Sequence, residues 1–491
     1  MDKLGRRTML RAGAAGLASL ALGPRSVMAR EAMTVVPPAD RKLLFVFCAH
    51  GGAAMIDGLL PVLDTEVGDS ALAGTLDVFS EAQIDSVPGS AFRFVKPLEA
   101  SAYSFLKPPP SMRDFVQKHG ADAAVFCHDV SSVNHNVAQA RSLSGAGANA
   151  GRTLMEAMAV RYGGGMLLPN CNMGTDGYIE HGVDGSLPAK ARHEVITAPL
   201  LFATGTHGTR GLASAVRPDA VKRARRVRDL LDRETVFANT FRKSPLVAHY
   251  LEQRSFGANE LEAADLVEKL LLLDPASAKA GLRPTAVTAE LFKRFPGLAQ
   301  NDVQAQTCLA FLLAYHGVAT SLTFGFRSDP VITEADGVIT TPIAFDYSHS
   351  SHRLAQTAMW GHLAAQLDGL IDLLKQHDYL GDPSLGKMWD RSLIYVATDF
   401  GRTKTRAAGA GSWSTGHDLN NGSLVISPLI QGNRVYGGVD PKTCLTYGFD
   451  RRTGAPDKGV VLEEAAVYGA IAHALDIPFA GRQDCPAWLK A

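Results

Sequence analysis

The chain has 491 residues, of which 46% are hydrophobic and 20% are charged, so it has ample material for a large globular core. Its 49 Lys and Arg residues balance 49 Asp and Glu residues, and this excludes a nucleic-acid binder that relies on a basic excess. This length allows two or three domains, although single α/β domains also reach it. None of the six cysteines forms a CxxC pair. Cys48 and Cys127 lie in apolar runs that predict buried thiols, and the sequence leaves open whether one or two disulfides form.

The N-terminus predicts export. Arg6 and Arg7 precede a weakly apolar run rich in Ala and Gly, and Val27-Met28-Ala29 fits a cleavage site with small residues. Residues 1–29 are therefore predicted to be a twin-arginine signal peptide, with the twin-arginine translocase as a partner during export. The run is too short and too mild for a permanent membrane anchor. The protein is expected in the periplasm or outside the cell, with a net charge of about −4 after cleavage, since residues 1–29 carry five basic side chains and one acidic side chain.

Taken in chain order, the next elements are strands and helices that alternate. Apolar runs bounded by charged residues or glycine predict buried strands at Leu43 to Cys48, Ala123 to Cys127, Gly317 to Phe324 and Ser392 to Gly401. Helices are predicted over 303–317, with a left-handed cap at Gly317, and over 353–377. This alternation predicts an α/β domain over 30–491, with a mostly parallel central sheet flanked by helices.

Two segments do not fit this alternation. Residues 61–110 contain scattered Pro, Gly and Ser and are left unassigned. Residues 219–293 are rich in helical patterns and predict a cap or an insertion; the basic stretch at its start predicts a solvated amphipathic helix.

Asp399-Phe400-Gly401 matches the magnesium-binding tripeptide of protein kinases. The catalytic loop, the lysine strand and the segment that follows this tripeptide in kinases are missing from the sequence, and the glycine-rich stretch Gly145 to Gly151 follows a polar segment rather than a strand. The sequence therefore does not predict a kinase. It places an aspartate at the carboxyl end of a buried parallel strand, where ligands bind in open α/β sheets.

Other Asp and His side chains are predicted at the same edge. Asp57 follows the first strand, Asp346, His349 and His352 precede the long helix, and His417 follows the Asp399 strand. Mixed carboxylates and imidazoles suit a divalent metal, with Zn²⁺ favoured and Mn²⁺ allowed. Each residue also has an ordinary structural interpretation, such as a turn aspartate at 57, a helical histidine at 352 or a loop hydrogen bond at 417.

Four stretches of the sequence resemble the exported domain-of-unknown-function 1501 family, most firmly over 301–440. They are the segment from Gln306 to Phe324, "FDYSHSSH", "SLIYVATDFGRT" and "GHDLNNGS". That family looks like a branch of the alkaline phosphatase and sulfatase superfamily. The resemblance implies an alkaline-phosphatase-like fold and a metal-dependent hydrolase ancestry. It also implies metal-binding roles for the positions that match the superfamily pattern, which are Asp57, Asp346, His349 or His352, Asp399 and His417.

The sequence departs from this pattern in three places. Phe400 replaces a metal-binding histidine, the spacing from Asp346 to the next histidines is three or six rather than four, and Asn134 stands where the family usually has serine. One of two metal sites is therefore expected to be damaged or absent. Ser132 is the predicted nucleophile, with Ser131 next and His135 as its neighbour, although serines after a strand usually cap helices.

Two functions follow from the sequence. The first is an exported metal-dependent hydrolase of phosphate or sulfate esters, in which Arg402 contacts a substrate oxyanion or instead pairs with a surface carboxylate. The second is a non-catalytic exported binding or assembly protein that kept the hydrolase fold. The retained Asp and His residues favour the enzyme, and Phe400 favours the binding protein.

Overall fold

The structure is a computed structural model that describes residues 31–96, 110–174, 176–203, 218–244, 247, 266–274, 284–340, 343–407, 414–482 and 484–490. The predicted signal peptide lies outside the described residues, as do parts of the predicted helical cap.

The strands follow one another along nearly the whole described chain. They are β1 (Leu43–Ala49), β2 (Ile84–Ser86), β3 (Arg93–Val95), β4 (Ala123–Asp129), β5 (Asn170–Asn172), β6 (Glu194–Val195), β7 (Ser321–Phe326), β8 (Ile332–Thr333), β9 (Ile339–Thr340), β10 (Ser392–Thr398), β11 (Gly401–Arg402), β12 (His417–Asp418), β13 (Asn420–Ile426), β14 (Arg434–Tyr436), β15 (Gly438–Asp440) and β16 (Leu445–Tyr447).

The α-helices lie between these strands and after them. They are α1 (Met55–Leu59), α2 (Asp64–Val67), α3 (Ser70–Ala73), α4 (Met112–His119), α5 (His135–Ser144), α6 (Leu154–Tyr162), α7 (Pro218–Glu234), α8 (Val236–Thr240), α9 (Leu266–Lys269), α10 (Ala286–Arg294), α11 (Asp302–Tyr315), α12 (Ser348–Gln376) and α13 (Glu464–Ala474).

In the described part of the chain, a central sheet of eight strands has the order β14-β4-β13-β10-β1-β7-β5-β6. β1 pairs in parallel with both β10 and β7, whereas β13 runs antiparallel to its neighbours β10 and β4. The sheet is therefore mostly parallel, as the sequence predicts. The carboxyl ends of β1, β4 and β10 meet the amino end of β13 at one edge, and this edge carries the candidate site.

Apolar side chains cover both faces of the sheet. Along β1, Phe45 and Phe47 enter one hydrophobic core, while Val46 and Cys48 enter the core on the opposite face. This alternation follows from the period of two of a strand, and burial on both sides explains why the strand sequence is apolar throughout. Helices α11 and α12 pack on the first face, and α6 and α13 pack on the second.

Several predicted boundaries differ from the structure. The predicted strand from Gly317 begins only at Ser321, because Gly317 has a φ of +66° and turns the chain after α11. The predicted helix over 353–377 begins at Ser348, which brings His349 and His352 into its first turns. The described parts of the unassigned segment 61–110 form the short elements α2, α3, β2 and β3.

The described residues of the predicted cap form α7, α8, α9 and α10, and the remainder lies outside the described residues. Arg223 and Val227 are examples of exposed side chains on α7, which agrees with a solvated amphipathic helix. None of the described helices is long and apolar enough to span a bilayer.

All six cysteines are described, and all six are buried free thiols. Burial raises the pKa of Cys48, Cys127, Cys171 and Cys308, so these thiols stay protonated. The prediction of buried thiols at Cys48 and Cys127 is confirmed, and the disulfides that the sequence left open are not formed.

Candidate metal centre

Two glycines hold the carboxylate of Asp399 at the edge of the sheet. The N–H groups of Gly51 and Gly52 donate to its two oxygens at 3.2 and 2.6 Å. Both glycines have positive φ, and a Cβ on Gly51 would lie 2.5 Å from the backbone nitrogen of Asp346. Only glycine fits this close approach, which explains the "HGG" after β1.

His135 lies in front of this carboxylate. Asn134 caps α5 by accepting the N–H of Val137, so His135 is the first residue of the helix. Its Nδ1 lies 2.6 Å from Oδ2 of Asp399, and a carboxylate can only accept, so Nδ1 carries the proton. Burial alone would raise the pKa of Asp399, but the hydrogen bonds from His135 and the glycines hold it below its ordinary value. The same hydrogen bond raises the pKa of His135.

Beyond His135, imidazole and carboxylate groups converge. Nε2 of His135 lies 3.8 Å from Oδ1 of Asp346, and Nε2 of His349 lies 3.5 Å from the same oxygen. The Nε2 atoms of His349 and His417 are 2.9 Å apart. Ligand atoms around a tetrahedral Zn²⁺ lie ~3.3 Å from one another, because each lies about 2.0–2.1 Å from the metal. The observed spacings bracket this value, so His135, Asp346 and His417 could hold an ion, and His349 lies next to Asp346 and His417.

The hydrogen bonds behind the imidazoles leave nitrogen lone pairs on the side where the groups converge. Nδ1 of His417 donates to the carbonyl of Val133 at 2.9 Å, as Nδ1 of His135 donates to Asp399. Burial lowers the pKa of His417, which keeps its ring neutral. The Nε2 atoms of His135 and His417 therefore present lone pairs. Nε2 of His417 lies 2.9 Å from Nε2 of His349, and two imidazole nitrogens at that distance need a proton or a cation between them. The carboxylate behind His135 and the carbonyl behind His417 are the usual arrangement at metal sites.

The site is open on one side and closed on the other. The side chains of His135, Asp346 and His349 are 34%, 37% and 46% exposed, whereas Asp399 and Arg402 are fully buried. The cluster can therefore be reached from solvent on the histidine side.

Arg402 supports the cluster from beneath. Its guanidinium donates to the carbonyl of Gly51 and, at 2.9 Å, to Oδ1 of Asp346, and its Nη1 lies 3.3 Å from Nε2 of His349. The sequence left two roles open for Arg402, contact with a substrate oxyanion or pairing with a surface carboxylate. The structure contains a pairing with the carboxylate of Asp346, although Arg402 itself is buried. Phe400 is also buried, and its ring stacks on His417 with centroids 3.9 Å apart.

Asp57 and His352 lie in a separate buried cluster. Nε2 of His352 is 3.2 Å from Oδ2 of Asp57 and 3.2 Å from Oδ2 of Asp77, and the ammonium of Lys404 also contacts both carboxylates. The sequence grouped His349 and His352 with Asp346 because this spacing allows the carboxylate and the imidazoles to converge on one ion across a loop and the first helical turn. In the structure, Ser351 has non-helical φ and ψ of −147° and 81°, and this break sends the two histidines to different clusters.

The six predicted metal ligands are thus distributed over three positions. Asp346 and His417 converge at the open site with His349 beside them, Asp57 and His352 lie in the buried cluster, and Asp399 lies behind His135. Sequence reasoning named His135 only as a neighbour of the nucleophile, although its position after β4 signalled the same edge. It missed Asp77 and Lys404, which lie in an unassigned segment and after a two-residue strand.

The predicted nucleophile region forms a turn before α5. Oγ of Ser132 accepts the N–H of Asn134 at 3.1 Å. Oγ of Ser131 donates to Glu464 at 2.9 Å and accepts from Arg141. The side chain of Ser131 is thereby held by Glu464 and Arg141, while the hydroxyl of Ser132 donates to no partner among the described residues.

Comparison of the chain with protein-family models and with curated proteins finds no match.

Proposed function

We propose that this chain is an exported hydrolase of phosphate or sulfate esters, built on an alkaline-phosphatase-like fold and dependent on one divalent metal. The observation that carries the proposal is the convergence of three imidazole Nε2 atoms and one carboxylate at the carboxyl edge of a mostly parallel sheet. His135, His349, His417 and Asp346 would hold the ion. Three nitrogen donors and one oxygen donor favour Zn²⁺, with Mn²⁺ as the alternative.

A bound ion of this kind polarises an ester oxygen and lowers the pKa of a hydroxyl or a water molecule. The side chains of the protein orient the metal ligands and supply charge and a candidate nucleophile. Asp399 fixes the tautomer of His135, and Val133 fixes that of His417. Arg402 keeps Asp346 in place and adds positive charge beneath the site, which favours an anionic ester. Ser132 is retained as the candidate nucleophile because its hydroxyl proton is not donated to a described partner.

The proposal is tested by metal content and activity on the mature protein recovered from the periplasm. Plasma mass spectrometry should find one Zn²⁺ or Mn²⁺ per chain, because the open cluster presents the Nε2 atoms of His135 and His417. The other two groups of Asp and His side chains, Asp57 with Asp77 and His352 and Asp368 with Asp372 and His119, already contact the ammonium groups of Lys404 and Lys118. Chelation should remove hydrolysis of aryl phosphate or aryl sulfate esters and lower the melting temperature, and added metal should restore both. A wild-type protein that is stable and free of metal contradicts the proposal.

A non-catalytic binding or assembly protein is the second candidate. It is favoured by the burial of Arg402, whose Nη2 is engaged by Gly51 and Asp346, and by the structural hydrogen bonds of Ser131. The two candidates separate when metal is present: a metal-loaded protein that cleaves neither ester supports the binding protein.

Export is tested at the twin arginines. Arg6→Lys together with Arg7→Lys should leave the protein in the cytoplasm, because the translocase recognises the arginine pair. Cell fractionation and immunoblotting measure the result, and a variant with Lys3→Arg serves as a control with an intact pair. Recovery of the double variant from the periplasm at the wild-type level would remove the prediction of twin-arginine export.

A further inference from the structure

The buried cluster of Asp57, Asp77, His352 and Lys404, here called the lysine cluster, has the donors of a metal site. The two carboxylates and the imidazole lie close enough to hold one ion, and all three side chains are buried. Oδ1 of Asp57 is buried and has no hydrogen-bond partner among the described residues. Two carboxylates buried side by side need compensating positive charge, because a buried charge is costly unless it is paired.

Lys404 provides that cation. Its Nζ contacts Oδ2 of Asp57 and lies 3.6 Å from Oδ2 of Asp77, which are the same two oxygens that face Nε2 of His352. The Lys404 side chain is 3% exposed, so the charge is held inside the protein. Arg353 donates to the other oxygen of Asp77 at 2.8 Å and adds a second positive charge at the margin of the cluster.

The lysine cluster is joined through the chain to three segments that form or support the metal centre. His352 follows His349 on α12, and Lys404 follows Arg402 after β11. Asp57 lies on α1, directly after the Gly51–Gly52 loop that holds Asp399.

Thr415 makes the fourth connection. Its Oγ1 lies 3.2 Å from Nδ1 of His352 and 3.3 Å from the carbonyl of Ser348, and it precedes His417 by two residues. A shift of the lysine cluster therefore displaces the segments that present His349 and His417.

We infer that Lys404 takes the place of a second metal ion in the lysine cluster, and that it acts as a positioning residue for the metal centre. This inference rests on the proposed function for the role of the metal centre. The ammonium fills the cation position among Asp57, Asp77 and His352, so the wild-type chain is expected to take one ion at the open site and none in the buried cluster.

The test uses Lys404→Met in the full mature chain, because methionine keeps much of the side-chain length and removes the charge. With Zn²⁺ or Mn²⁺ alone as the probe, this variant should bind one more ion per chain than the wild type. Its melting temperature should rise with added metal by more than that of the wild type. An unchanged metal count in the folded variant overturns the inference.

Lys404→Met combined with Asp57→Asn provides the matched variant if Lys404→Met does not fold. The double variant removes one positive and one negative charge, so it should fold and should gain no second ion. Its affinity for the first ion still tests the positioning role of Lys404. Its affinity for the first ion should fall by about tenfold, the lower end of the loss for residues behind metal ligands. First-ion affinity equal to that of the wild type would refute the positioning role.

Glu156→Gln controls for general destabilisation. Glu156 is fully buried and bonds to Thr153, Gly182 and Arg192, which belong to neither cluster. It should lower the melting temperature and leave metal affinity unchanged; an equal loss of affinity in Glu156→Gln would contradict a specific role for Lys404. The two proposals fail separately, since a wild type without metal rejects the metal centre, whereas an ion gained only by Lys404→Met still supports the lysine cluster.

Discussion

His417→Ala should lower the affinity for Zn²⁺ or Mn²⁺ by more than about 100-fold, since outer residues at metal sites already contribute about 10–100-fold. The substitution removes one of the three Nε2 donors and leaves Nε2 of His349 without its 2.9 Å partner. It also removes the ring that stacks on Phe400. Competition with a chromogenic chelator measures the affinity, and ester hydrolysis at fixed metal should fall in parallel.

His181→Ala is the matched control for that measurement. His181 stacks on His193, with centroids 4.3 Å apart, and belongs to neither the metal centre nor the lysine cluster. Its replacement should leave metal affinity unchanged. If His417→Ala binds metal as tightly as His181→Ala does, the three-histidine site is not where the ion binds.

Asp399→Asn should cost about 10–100-fold in metal affinity and also lower the stability of the metal-free protein. The amide nitrogen of asparagine is a donor, yet the oxygens that it would replace accept from Gly51, Gly52 and His135. At least one donor must then face another donor in a buried position, which is unfavourable. Chemical denaturation and metal titration measure the two effects.

The pH dependence of stability and of metal affinity provides a sharper test of the contact between His135 and Asp399. In the metal-free wild type, the raised pKa of His135 means that its ion pair with Asp399 stabilises the fold fully below the ordinary histidine pKa of about 6.5. That contribution is lost as the pH rises through the raised value. On the acid side, the depressed pKa of Asp399 means that its contribution is lost only as the pH falls through that low value.

Metal binding has the opposite dependence on His135, because protons compete with the ion for its ring. Wild-type affinity should therefore rise with pH through the raised pKa of His135. In Asp399→Asn the rise should occur at lower pH, because the hydrogen bond that raises this pKa is gone. A rise at the same pH in both proteins would mean that His135 does not bind the ion.

The sheet was predictable from the sequence because its strands are buried on both faces. Leu43 to Ala49 and Leu393 to Ala397 are continuous apolar runs, and each is followed by a polar residue at the edge of the sheet. The antiparallel strand β13 was not predicted. "NNGSLVI" begins with two asparagines and a glycine, and its direction is set by pairing with β4 and β10 rather than by local propensity.

The location of the site was also predictable, but the grouping of its residues was not. Asp and His residues that follow strands must meet at the carboxyl edge, and this places Asp346 and His417 correctly near each other. The spacing Asp-x-x-His-x-x-His also joined His352 to them, but the break in α12 at Ser351 places His352 in the lysine cluster. Lys404 could not be identified as a buried cation, because lysine is almost always exposed and nothing near it in the chain marks its two partners.

The order of strands in the sheet has a consequence for biosynthesis. β1 lies between β7 and β10, so its hydrogen-bonding neighbours emerge from the ribosome roughly 270 or more residues after it, and at about 5–20 residues per second this takes on the order of 10 to 60 s. During that interval β1 is an apolar segment with no sheet to join. An apolar strand that waits this long for its neighbours is exposed to aggregation, so shielding of the nascent chain until translation is nearly complete would favour correct folding. The proposed twin-arginine route carries proteins that are already folded, and it is therefore compatible with a chain in which β1 cannot complete its pairing before β10 is synthesised.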